Sequence, residues 1–130
     1  MRIRYVALLL ALVGSSAVLA KIDTSDLDVD VMRAMDDAIK DFEPSLGANN
    51  LEAANNDIAV LSEAYQWTHD YFKTKGADDA VAISQKGQAL IADAEAAVKR
   101  GDLAKAGELA RETTRNCKSC HDIYKTSITR

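Results

Sequence analysis

Four stretches of the chain repeat an apolar residue every three and then every four positions, and that rhythm limits the fold to packed helices. Met32, Met35, Ile39, Phe42 and Leu46 form the first stripe. Leu51, Ala54, Ile58, Leu61, Tyr65, Thr68 and Phe72 form the second. Ala80, Ile83, Gly87, Leu90, Ala94 and Ala97 form the third. Leu103, Ala106, Ala110, Thr113, Cys117, Cys120 and Tyr124 form the fourth. With six glycines, one proline and abundant alanine in 130 residues, little favours strands.

Breaks fall between the stripes. Ser25 followed by Asp28 resembles a capping box and predicts a helix starting near Ser25. Pro44 predicts a kink or a tightened turn near that helix's end. Gly47-Ala48-Asn49-Asn50 ends it, with Asn50 suited to cap the second helix. Gly76 and Asp78 separate helices two and three, and Gly101-Asp102 separates three and four, with Asp102 as an N-cap. Connections this short make successive helices antiparallel. The fold expected is all-α, an up-down-up-down four-helix bundle.

The N-terminus has its own pattern. Met1-Arg2-Ile3-Arg4 is basic, Tyr5 to Val13 is almost wholly apolar, and small residues follow up to Ala20. Residues 1–20 therefore read as a cleaved signal peptide, with residues 21–130 as one exported, periplasmic domain. Residues 1–20 hold Arg2 and Arg4 and no acid, so the remaining chain has 14 bases, 20 acids and a charge of −6. That balance argues against nucleic acid as a partner. From Arg111 onward the local balance is +3, which is either a solvated face or a docking patch.

The two cysteines sit in Cys117-Lys118-Ser119-Cys120-His121, the Cys-x-x-Cys-His pattern of haem c attachment. On a helix, positions i, i+3 and i+4 share one face. Two thiols can then reach two vinyl groups on one porphyrin edge, and the imidazole stands beneath the iron as an axial ligand. A thioredoxin-like pair would need a βαβ context that is not visible. A zinc site would need further ligands, and the chain has only His69 besides His121 and no third cysteine. A plain disulfide would leave His121 and the helical stripe unexplained; a haem-free exported bundle with that disulfide is the reading it would give.

Tyr65, Trp67, Tyr71 and Phe72 from the second helix and Tyr124 from the fourth gather at the same end as this motif. They are either ordinary core or the wall of a haem pocket. Tyr65, Thr68, Phe72 and Tyr124, all on the stripes, are the expected contacts, while Trp67 faces sideways. Counting 1.5 Å per residue puts Met32 ~10 Å from the start of helix one and His121 ~14 Å from the end of helix four, at similar heights. Met35 lies ~4.5 Å deeper on the same stripe. Both methionines can equally be core filling. His69 lies one position off its stripe and reads as a surface residue.

A four-helix bundle with Cys-x-x-Cys-His in its last helix resembles the class II cytochromes c, the cytochrome c-prime family, over residues 21–130. The resemblance implies one covalent haem c and a sixth iron position facing helix one. Some members leave that position open and bind nitric oxide or carbon monoxide; others fill it with methionine and carry electrons. The run Val31-Met32-Arg33-Ala34-Met35 resembles the methionine-bearing group, with Met32 nearest the ligand position. Members often carry a base one turn earlier, where it meets a haem propionate. Here Asp28 stands there, so Arg33, Lys118 or Lys125 must supply the cation. With no acid–base pair, activated nucleophile or phosphate loop, the chain reads as an electron carrier and not an enzyme. Its expected partners are exported or membrane-bound redox proteins, and family habit adds a homodimer as an option.

Overall fold

The computed structural model describes residues 22–124. The proposed signal peptide, Lys125 and Arg130 lie outside the described residues. Four helices follow in order: α1 (Val29–Gly47), α2 (Leu51–Thr74), α3 (Asp78–Lys99) and α4 (Leu103–Tyr124). No strand occurs among the described residues. Helix α1 packs on α2 and α4, α2 on α3, and α3 on α4, so the four close a ring around one interior. This is a four-helix bundle.

Helix α1 begins later than the capping-box reading predicts. Asp28, in extended conformation, accepts a bond from the Asp30 amide at 2.9 Å and is the N-cap. The Ser25 amide instead donates to Asp23 Oδ1, and the Leu27 amide turns back to the Thr24 carbonyl at 3.1 Å. The physical reason is burial: this turn tucks Leu27 and Thr24 into the end of the bundle, a gain that a continued helix would forgo. Met32 consequently lies in the first turn of α1, ~4.5 Å from its start by helical rise, and not ~10 Å. Helix α1 runs on for three residues past Pro44 to Gly47.

The other caps match their expected positions. Asn50 accepts from the Ala53 amide at 3.2 Å, and Asp102 from the Lys105 amide at 3.1 Å. Asn49, Gly76 and Gly101 supply the left-handed turns, with φ of 53°, 68° and 75°. Helix α3 has Ala77 at its N-cap, with no side-chain bond there, and acidic Asp78 and Asp79 sit in its first turn.

The buried apolar residues divide into two clusters. The larger runs from Leu46, Ala54, Val98 and Ala106 to Met35 and Tyr65. The smaller holds Leu27, Phe72, Ala77 and Ala80, with Tyr71 and Tyr124 packed against it. Cys117 packs on the first cluster, Cys120 on the second, and Met32 on both. The Cys-x-x-Cys-His turn thus lies where the two clusters meet. None of the described helices is long and apolar enough to cross a membrane.

Candidate cofactor site

Helix α4 carries Cys117, Cys120 and His121 in its last two turns, all partly buried. Their helical spacing turns them toward α1, where Met32 and Met35 come down to meet them. A cavity of about 370 Å³ is lined by Met32, Met35, Asp36 and Ile39 from α1 and by Thr114, Cys117, Lys118, His121 and Asp122 from α4. A smaller void of about 40 Å³ shares Met32, Met35, Cys117 and His121, and is completed by Cys120, Tyr65, Thr68, Asn116, Ile83 and Ser84. The structure therefore brings both methionines to the imidazole and does not separate them by height alone. Met35 is the more deeply buried of the two.

Both cysteines are free thiols. Burial pushes the Cys117 thiol up from its ordinary value, and the Tyr65 hydroxyl beside it pulls the other way. Burial, with smaller effects from Cys117 and Asp79, takes Cys120 up to about 11. Neither sulfur is a ready thiolate at neutral pH, which is the opposite of a disulfide-exchange pair.

The α2 residues surround this face in different ways. Tyr65 is buried and its hydroxyl lies 3.5 Å from Cys117 Sγ. Thr68 is buried too and lines the smaller void, but its hydroxyl donates to the Ala64 carbonyl of its own helix at 2.7 Å. Phe72 touches neither cavity. It sits in the smaller cluster, 4.8 Å from the Tyr124 ring, and walls the Cys120 side. Tyr124 donates to Asp79 Oδ1 at 2.6 Å, and burial followed by that bond raises its ionisation well above normal.

Other residues fall away from the site. His69 Nδ1 lies 2.9 Å from Asp70 and lines neither cavity. Trp67 stacks on Tyr71 at 5.3 Å and faces a groove between α1 and α2. Asp28 is engaged in capping α1, which explains an acid at that position. Arg33 pairs with Asp30 on the surface. Lys118 bonds both oxygens of Asp122 at 2.8 Å and lines the larger cavity, so of the cations named from sequence it stands nearest the site among the described residues. Arg111 pairs with Glu43, so part of the basic C-terminal charge is already met.

Two site residues escape the stripe reading. Asn116 is buried, and its carboxamide donates to Tyr65 Oη at 3.3 Å and to the Ile83 carbonyl at 3.0 Å. It lies one position off the stripe of α4, where a polar residue reads as solvated. Gly87 is on the stripe of α3, and a Cβ there would collide with the Tyr65 ring. A glycine in a stripe of larger residues was the available signal for that close approach.

These residues fit a haem c. Two sulfurs and an imidazole share one helical face, two thioethers oppose them, aromatic and aliphatic walls flank them, and the cavity falls within the roughly 300–1,000 Å³ of cofactor pockets. An all-protein metal site fits less well: no group of three His, Cys, Asp or Glu side chains among the described residues is placed to hold an ion. No family model matches the chain, and comparisons with curated proteins and with solved structures likewise found no match.

Proposed function

We propose that this chain is an exported monohaem c-type cytochrome that carries electrons, built as an antiparallel up-down-up-down bundle. The observation that carries the reading is the meeting of the Cys117–His121 turn with Met32 and Met35 around shared cavities, where the core divides in two. Cys117 and Cys120 would hold haem c by thioether bonds, and His121 and Met32 would supply ligands to its iron. The resemblance to the class II cytochromes c supports this assignment. The three-residue connections support the antiparallel order. The basic and apolar run of residues 1–20 supports export.

The cofactor would supply a one-electron ferric–ferrous couple. The chain's own part is mechanical and electrostatic. Helix α4 fixes the attachment atoms in register, the Tyr65 ring covers the Cys117 side, and the Phe72 and Tyr124 rings keep water from the Cys120 side. The buried surround favours the less charged, reduced state. Lys118, beside the cavity, can meet a propionate once Asp122 shares it. Partners would be exported or membrane-bound redox proteins met over a small surface.

The test is expression in a host able to attach haem covalently. The product should retain haem on a denaturing gel, and Cys117→Ser with Cys120→Ser should abolish this. Its ferric spectrum should be low-spin with a sulfur-to-iron charge-transfer band. A high-spin ferric spectrum would instead assign an open site that binds nitric oxide or carbon monoxide. A colourless product with both cysteines unmodified overturns the reading altogether.

A further inference from the structure

Tyr65 is the one polar side chain of α2 whose tip meets the attachment motif, and three neighbours dictate where it points. Gly87 of α3 leaves room for its ring, which no other residue type would do without displacement. Asn116 of α4 anchors its oxygen: the carboxamide nitrogen, which can only donate, reaches both Tyr65 Oη and the Ile83 carbonyl. Tyr65 Oη therefore accepts from Asn116. Its own proton is left to be directed elsewhere, and Cys117 Sγ lies 3.5 Å away.

We propose that Tyr65 is a positioning residue that aims its hydroxyl proton at the Cys117 sulfur, with Asn116 fixing the direction and Gly87 providing the seat. Cys120, three residues on, has no such donor among its described hydrogen bonds, so the motif is asymmetric. The inference deepens the haem reading and rests on it for one of its consequences. Thioether formation adds the thiol across a vinyl double bond: the C–S bond forms, the S–H bond breaks, and the hydrogen ends on the neighbouring vinyl carbon. No electrons are gained or lost overall. The sulfur then has no proton to give, so a hydroxyl already set as donor keeps its bond after attachment, where one set as acceptor would lose it. A donor at that sulfur draws electron density from the porphyrin edge and favours the reduced state.

Two measurements on Tyr65→Phe test this, with Asn116→Leu as the second variant and circular dichroism as the check on folding. The first needs no haem. In the cofactor-free full chain, alkylation of each cysteine by iodoacetamide is followed by mass spectrometry. Losing the hydroxyl should slow Cys117 by about fivefold, the factor of one ordinary hydrogen bond to the thiolate, and leave Cys120 unchanged. Loosened packing would speed both, and that outcome, or no change at Cys117, overturns the proposal. The second uses the haem-loaded protein: the midpoint potential should fall while the iron–methionine band stays in place. A fall accompanied by loss of that band means a general disturbance and also counts against it. Should no haem attach to the parent chain, the alkylation result still stands, so failure of the haem reading and failure of the Tyr65 assignment are told apart. Asn116→Leu should reproduce both effects in the same direction; a variant that folds and reproduces neither removes Asn116 from the account.

Discussion

Gly87 is the residue whose replacement the structure forbids most directly. A methyl group there would enter the space of the buried Tyr65 ring, which would have to shift. Gly87→Ala should therefore cost about 1–3 kcal/mol in urea unfolding, despite alanine's better helix propensity. Asp28 gives a smaller and cleaner effect. It caps α1 from the surface, so Asp28→Ala should cost about 1 kcal/mol with no change at the cysteines. Asp26 gives a pH-dependent one. The Lys75 ammonium and then the Tyr71 hydroxyl hold its carboxyl below the ordinary value of 3.8. A depressed folded value means the tie is fully formed above that ordinary value and is lost as pH falls through the lower one. The Leu27 methyl resonances should keep their native shifts down to about pH 4 and move below it. In Asp26→Asn they should be displaced already at pH 7.

At the scale of the element, α1 and α4 divide the chemistry between them. Helix α4 owns the attachment motif and α1 the opposing sulfurs, and their contact is what makes a two-sided site. Because Met32 and Met35 line the same cavities, single substitutions decide between them. Met32→Ala should lose the sulfur-to-iron band, and Met35→Ala should keep it while lowering stability by about 2–5 kcal/mol as a buried truncation. The reverse pattern would move the ligand to Met35. The elements themselves were legible in advance: all four stripes became helices, because the 3-4 spacing reports burial directly. Their starts were legible at Asn50 and Asp102 and were misplaced at α1, where Asp28 and not Ser25 is the cap. There the choice turned on whether Leu27 could be buried by a turn, a tertiary fact no local signal carries. In the site, Cys117, His121, Met32 and Met35 line shared cavities, although Met32 lies closer to the start of α1 than counting from Ser25 puts it. Phe72 did not reach the cavities, since a stripe fixes a face and not a depth. Asn116 was missed because a polar residue beside a stripe looks the same in sequence whether it meets water or a tyrosine.

At the scale of the whole molecule, charge is divided as unevenly as chemistry. From Val29 to Thr74 there are nine acids and three bases, against eight and seven from Asp78 to Tyr124, so the α1–α2 half carries almost all the negative balance. The apolar interior is divided too, and the motif stands on the border, with Cys117 on one side and Cys120 on the other. The two clusters share Met32 and are joined at the motif, so the smaller, aromatic one can loosen before the larger. Scanning calorimetry of the cofactor-free chain should therefore give a broad, two-stage melt, with the aromatic end loosening first. A rigid plate bolted across the boundary would weld the stages into one sharp transition at higher temperature, so the number of heat-absorption peaks would report how far the halves depend on what is clamped between them.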